Sequence, residues 1–443
     1  MSEATTLPCT TRAERTQDAV FRKVTWRLIP FLFLCYVLNY IDRLNVGFAH
    51  LQMRSDLGFS DTVYGIGVGL FFIGYLAFEV PSNLLLEKIG ARKTLLRIMV
   101  LWGLASTATM FVKTPLQFYA VRLLLGASEA GFLPGILLYL TYWYPAGHRG
   151  RITALFLTAL PFAGIVGSPL SGWILHSMTG LSGLRPWQWM FLLEGIPSAA
   201  MGLIAHLYLK DSPEHAHWLD SHEKDVIRRN IEADRRRRSP HQQTSFAAAL
   251  RDPKLYVIAL LGFATYWSAN AIAFWAPSII KASGVSDTRM IGLLTALPSL
   301  AGLISMILVG HHSDRTLERR WHAAGAALLS ATALALLPLC FGNTIGAVAL
   351  LTLCGIGHFA FVAVFWTMPP SYLAGSAAAG GIAAIGALSA LGGATVPALL
   401  GWIKTSTGSL AFGMYAITAM LVLAVVVMLL AVPASALKGH PEA

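Results

Sequence analysis

Long apolar runs dominate the chain, and each ends at a short cluster of Gly, Pro, Ser or charged residues. A run of about 18 or more apolar residues is long enough to cross a bilayer as a helix. Twelve such spans are predicted, at roughly 26–49, 62–86, 94–112, 116–140, 152–177, 188–209, 255–279, 290–310, 321–341, 345–369, 378–403 and 410–433. One long polar segment, 210–254, falls between the sixth and seventh. The pattern predicts an all-α polytopic membrane protein. Its parts are a tail (1–25), a six-helix bundle (26–209), the central loop (210–254), a second bundle (255–433) and a short tail (434–443).

Composition agrees with that class. Of 443 residues, 55% are hydrophobic and only 12% charged, which excludes a water-soluble core. The first run lacks a small-residue cleavage site, so it is read as a retained span, not a signal peptide. The four cysteines (Cys9, Cys35, Cys340 and Cys354) are scattered, so neither a disulfide framework nor a metal site is expected.

Charge then orients the chain. If the N-terminus is cytoplasmic, the cytoplasmic segments hold 24 of the 33 Lys and Arg, and the opposite side holds six. This asymmetry predicts both termini inside a cell (inner) membrane. The net charge of +11 is then topological. Even the run Arg235 to Arg238 reads as a solvated loop beside anionic lipid, and no nucleic-acid partner is expected.

The halves resemble each other. An acid followed by bases stands after the second span in "NLLLEKIGARK" (Glu87, Lys88, Arg92) and after the eighth in "GHHSDRTLERR" (Asp314, Arg315), 227 residues later. "PLSGW" ends at Trp173 and "PALLGW" at Trp402, 229 residues apart. Two landmarks with nearly one offset predict a duplicated six-span unit, the plan of carriers that rock two halves about a central site.

Six ionisable residues interrupt the apolar runs: Asp42, Arg43, Glu79, Arg122, Glu129 and Glu194. All lie in the first half, while the second half's runs carry no acid or base away from their ends apart from His358. An intramembrane charge costs about 2.5 to 3.5 kcal/mol on the insertion scale, so six together predict a wet, mutually paired cavity. Asp42 is read as a proton-titrating group or a structural partner of an arginine. Glu129, two turns after Arg122, is expected to be a lone carboxylate whose desolvation suits it to proton coupling. Glu79, one turn from Tyr75, either lines the cavity or caps backbone freed by Pro81. Glu194 is expected to accept a structural hydrogen bond from a neighbouring helix.

With these residues set out, the sequence resembles a known family. The loop acid and its bases look like the signature loop of the major facilitator superfamily, with Asn83 in place of its usual leading glycine. "RLLLGASEAGFLPG" resembles that superfamily's fourth-span arginine motif. "NYIDRLNVGFA", "FEVPSNLLLEKIGAR", "YLTYWYP", "RPWQWMFLLEGIPS" and "FWAPSIIK" look like the anion:cation symporter family, particularly its tartrate and phthalate-type branch. The resemblance implies twelve helices in two pseudo-symmetric bundles and proton-coupled import of a small organic carboxylate, with no cofactor beyond the coupling proton and function as a monomer. In the resembling galactonate and hexuronate carriers the protonatable pair matches Asp42 and Glu129, the substrate-anion arginine Arg43, its arginine partner Arg122, and a substrate-contacting tyrosine Tyr75. Asn39 shares a face with Arg43. The loop groups Glu87, Lys88, Arg92, Asp314 and Arg315 are expected to gate.

Candidate substrate contacts in the second half are neutral: Tyr266, Trp267, Asn270, His358, Trp366, Ser371 and Ser389. The chain departs from the family at Leu160, where glutamine is usual, and at Gly386 and Ala390, where asparagines are usual. These departures imply a pocket less polar than a sugar-acid carrier's. An efflux antiporter of the same fold and a non-transporting membrane sensor are the alternatives. An enzyme is not expected, since "GASEA" lies mid-helix without the strand a nucleophile elbow needs.

Overall fold

A computed structural model describes residues 12–237, 250–369 and 375–433. Twelve helical spans run through them: Gln17–Leu57, Asp61–Leu86, Ala91–Phe111, Pro115–Thr141, Gly147–Ser177, Pro186–Tyr208, Pro253–Ala282, Thr288–Thr316, Arg320–Cys340, Thr344–Phe365, Gly380–Thr407 and Ala411–Ala431. They are called spans 1 to 12 below. Every predicted span overlaps one of them. The helices exceed the apolar runs where polar ends continue the hydrogen-bonded ladder past the bilayer-length core, most of all in span 1, whose helix starts at Arg12.

Two departures from the expected plan bear on function. The segment 210–254 is not all loop: Ser221–Arg237 is a helix. It lies against the start of span 1 through a Lys23–Glu223 ion pair (2.7 Å) and a hydrogen bond from Gln17 to Asn230 (2.8 Å). Span 4 is also not continuous. It breaks into Pro115–Glu129 and Phe132–Thr141, with Gly131 left-handed at φ +85°. The break is written in "EAGFLPG". Pro134 has no N–H to give the Ala130 carbonyl and its ring would crowd that oxygen, while glycine takes the positive φ without strain. Glu129 is thereby the last residue of a half-helix.

Within the first bundle, spans 2 and 4 approach closely at Gly126, where an added Cβ would sit 1.9 Å from the Phe71 carbonyl oxygen. Between the bundles, spans 2 and 11 meet the same way: a Cβ on Gly401 would come within 2.3 Å of the Asp61 carbonyl oxygen. Small residues at such crossings let helix backbones gain dispersion contact where lipid offers no hydrophobic drive.

The bonds that join the bundles among the described residues cluster at one end, the end where spans 1 and 7 finish, here termed distal. Tyr64 donates to the Phe274 carbonyl (2.9 Å), Thr62 Oγ1 to Thr405 Oγ1 (2.8 Å) and Lys281 to the Leu51 carbonyl (3.1 Å). Asp61 takes Lys404 of the other bundle at 3.1 Å, with His50 at 3.2 Å and Arg54 at 3.3 Å from its own. His176 faces Asp287 at 3.2 Å. The molecule is thus sealed distally.

A Gly126→Ala substitution is expected to overpack the crossing of spans 2 and 4 by about 1–3 kcal/mol. Scanning fluorimetry of the purified protein should read this as a lowered melting temperature; an unchanged value would mean that the crossing gives way freely.

Candidate functional site

Arg43 and Glu129 meet at the centre of the first bundle. The Arg43 guanidinium donates to Glu129 Oε1 across the gap between spans 1 and 4. The two ends of this pair differ in exposure: the Arg43 side chain is 20% exposed and that of Glu129 only 1%. Aromatic rings wall the guanidinium, with Phe71, Tyr75 and Tyr40 centroids 5.1, 5.6 and 5.8 Å away. Such rings stabilise a cation without neutralising it. One nitrogen, Nε, and one carboxylate oxygen, Glu129 Oε2, are buried with no partner among the described residues.

Glu129, expected to be a lone carboxylate, is instead the partner of Arg43. Arg122, two turns earlier on the same helix, makes no hydrogen bond to it. The Arg122 side chain is buried (1% exposed) and none of its three guanidinium nitrogens has a hydrogen-bond partner among the described residues. It too lies over the site's central aromatic, 5.0 Å from the Phe71 centroid. Phe71 thus carries two guanidiniums.

Asp42 points away from Arg43, as a separation of about 100° on one helix requires. It enters a separate polar knot between spans 1, 3 and 6. Trp102 Nε1 (2.7 Å) and Ser198 Oγ (2.6 Å) donate to Oδ2; Ser106 Oγ (2.8 Å) and Asn45 Nδ2 (3.4 Å) donate to Oδ1. Every donor is neutral. Glu194 accepts from Ser171 Oγ of span 5 at 2.7 Å, the neighbouring-helix bond expected of it. The sequence reading did not pick out Trp102, Ser106 or Ser198. The available signal was spacing: Trp102 with Ser106, and Glu194 with Ser198, stand four apart and so share helix faces.

The remaining candidates separate into those near the Arg43–Glu129 pair and those elsewhere. Tyr75 lies in the Arg43 wall, and Glu79 is half-buried one turn on. Asn39 is buried with its amide nitrogen unpartnered. From the second bundle, Tyr266 is close enough to interact electrostatically with Arg43, Tyr40 and Glu79. The Asn270 amide is taken by the Tyr266 carbonyl (2.7 Å), and Trp267 donates to Thr395 (3.0 Å). Trp366 lies over Gly386, where a Cβ would be 3.5 Å from its ring; the indole occupies the space beside the missing asparagine. Ser389 is fully buried, donates to its own helix at Ile385 (2.7 Å) and packs on Gly262. The structure places it in packing between spans 7 and 11. The His358 ring is against Phe359, with Nδ1 unpartnered. Ser371 and the Glu87 side chain lie outside the described residues.

The loop groups divide similarly. Arg92 donates twice to the His206 carbonyl (2.9 and 2.7 Å), and its own N–H donates to Asp211 (2.9 Å), fastening the loop after span 2 to the end of span 6. Lys88, Asp314 and Arg315 are exposed. In the second half the fastening is done by residues not singled out from sequence. Arg319, 227 positions after Arg92, donates to the Thr367 carbonyl, and Arg320 donates to that of Leu429.

Comparison with known proteins follows from this geometry. The profile described as Major Facilitator Superfamily matches residues 32–397. A protein of Agrobacterium vitis named "Putative tartrate transporter" is 43% identical over 93% of this chain and 94% of its own. "Putative metabolite transport protein NicT" of Pseudomonas putida is 44% identical over 88% of this chain and 89% of its own. Among solved structures, one titled "Crystal structure of D-xylose-proton symporter" superposes with a TM-score of 0.74 at 18% identity, covering 94% of this chain and 99% of that one, a likeness of fold alone.

Removing Arg43 as Arg43→Gln leaves Glu129 buried without its cation, and breaking a buried pair from one side costs about 3–5 kcal/mol. The double variant Arg43→Gln/Glu129→Gln should recover most of that loss in thermal stability. Additive losses would show that the pair is not coupled.

Proposed function

Because the chain belongs to the major facilitator superfamily and is a multi-pass membrane transporter, not an enzyme, we propose that it imports a small organic carboxylate by proton symport. The observation that carries this reading is that one partly exposed guanidinium, Arg43, is held by one buried carboxylate, Glu129. A substrate carboxylate wanting the same guanidinium competes with Glu129 for it. Protonating Glu129 removes the competitor, and Arg43 then offers its planar fork to the substrate. Binding of the anion and binding of the proton thereby favour each other.

The distal seal fits one stage of alternating access. With the N-terminus cytoplasmic, as the Lys and Arg asymmetry supports, the sealed end is the outer one. The rings of Tyr40, Phe71 and Tyr75, with Trp366 beside Gly386, favour a carboxylate with an aromatic or sparsely hydroxylated body. The relative named as a tartrate transporter supports a carboxylate in general. The transporter acts as a monomer in the inner membrane, with no cofactor beyond the coupling proton.

Energetics give the coupling a purpose. An anion entering against an inside-negative potential is opposed by about 2.3 kcal/mol per 100 mV for each charge. One proton per carboxylate cancels that charge, and each pH unit of gradient adds about 1.4 kcal/mol per proton.

In proteoliposomes with an acid exterior, radiolabelled L-tartrate is expected to accumulate in wild type. In Glu129→Gln, accumulation should be lost while tartrate exchange survives. Filling driven instead by an acid interior would identify an efflux antiporter, and accumulation unchanged in Glu129→Gln would remove Glu129 from the coupling.

A further inference from the structure

Glu194 sits outside the Arg43 cavity, 4% exposed, on the face of span 6 that meets spans 1 and 5. Its Oε1 accepts from Ser171 (2.7 Å), and its Oε2 is buried with no partner among the described residues. Ser198, one turn further along span 6, belongs to the Asp42 knot: its hydroxyl donates to Asp42 Oδ2 at 2.6 Å, with the Glu194 backbone carbonyl at 3.3 Å. Asn45 supplies the tie between the two carboxyls. Its amide donates to Asp42 Oδ1 (3.4 Å) and interacts with the Glu194 carboxyl as well.

The hydrogen count of this knot decides its charge. Asp42 has two donors on each oxygen and is satisfied as a carboxylate. Glu194 has, beside its contact with Asn45, one close donor in Ser171, and its Oε2 and Asn45 Oδ1 are buried without a hydrogen-bond partner among the described residues. Around them, span 3 brings Trp102, Ser106 and Thr107, span 5 brings Ser171, and span 1 brings Asn45 and Asp42. No Lys, Arg or His faces the pair among the described residues; the further charge acting on Asp42 is the acid Glu129. Two carboxylates sharing a buried site without a cation do not both stay ionised. A proton on Glu194 removes one charge and turns an orphan acceptor into a donor.

We propose that Glu194 is a proton-binding site paired with Asp42, the two carboxyls holding one proton between them, which rests on Glu194 in this conformation. In moving, the proton breaks an O–H bond on one carboxyl as it forms one on the other, and no further reactant is needed. Asp42 is then not an independent proton site but half of a pair, and the knot joins spans 1, 3, 5 and 6 so that repacking of these helices changes which carboxyl keeps the proton. The part the pair plays in transport rests on the proton-symport reading; its protonation does not.

The test is an infrared pH titration of the purified, lipid-reconstituted protein, following the carbonyl stretch of protonated carboxyl groups and its shift in heavy water. Wild type is expected to show such a band at neutral pH, Glu194→Gln to lose it, and Glu129→Gln to keep it. Asp42→Asn should retain the band and move its midpoint to lower pH by about one unit or more, since a neighbouring negative charge has gone. A band kept in Glu194→Gln, or a midpoint unmoved in Asp42→Asn, overturns the pair; the second arm decides the matter if Glu194→Gln does not fold. Tartrate uptake under an imposed pH gradient is scored separately. Uptake indifferent to the gradient, with the band lost in Glu194→Gln, removes symport and keeps the pair; gradient-driven uptake with the band kept does the reverse.

Discussion

A buried guanidinium that can satisfy only one carboxylate at a time is the constraint on which the rest of this transporter depends. Taking both ions of the Arg43–Glu129 pair out of water costs several kcal/mol each, and their attraction offsets this only with good geometry. The structure supplies that geometry by ending a half-helix of span 4 at Glu129 and by walling Arg43 with rings. Arg43 is partly reached by solvent and Glu129 is not, so on the proposed reading a substrate anion would meet the cation first and would have to displace Glu129. On the symport reading proposed above, protonating Glu129 resolves that conflict.

The same logic explains why the charges gather in one bundle. The first half holds the Arg43 pair, Arg122 without a hydrogen-bond partner among the described residues, and the Asp42 knot, whereas the candidate contacts of the second half are neutral side chains such as Tyr266, Trp366 and Asn270. One bundle handles charge and the other shape. They are held together distally by backbone contacts across glycines and by the cluster around Asp61, whose Lys404 partner comes from the opposite bundle. The loop arginines, Arg92 in one half and Arg319 with Arg320 in the other, each bind a carbonyl at the end of a neighbouring span and so fasten helices within their own bundle.

Much of this was legible along the chain, for definite reasons. The twelve spans could be read because lipid demands long apolar runs, and the six-plus-six division because one polar segment is far longer than the rest. The intramembrane charges were conspicuous for the same reason. What could not be read is which arginine reaches Glu129. Arg122 is near in sequence, yet its side chain lies across Phe71, and the residue that arrives is Arg43 from span 1; only the crossing of two helices fixes that. The donors to Asp42 come from spans 3 and 6 and look like ordinary Ser and Trp until folded. Ser389 looked like a pocket residue because span 11 is rich in small residues, but Gly262 gives its hydroxyl a packing place. The break in span 4 was visible in Gly131 and Pro134 and was passed over because the hydropathy continues through it. The helix Ser221–Arg237 escaped because its charge signalled a loop more strongly than its periodicity signalled a helix.

The central claim is that anion and proton are exchanged at one guanidinium. It is tested most directly by counting protons taken up when the detergent-purified protein binds L-tartrate, from calorimetry in two buffers of different ionisation enthalpy. The account predicts uptake of about one proton per bound anion at neutral pH, absent in Glu129→Gln. Identical binding enthalpies in both buffers for the wild-type protein would contradict it.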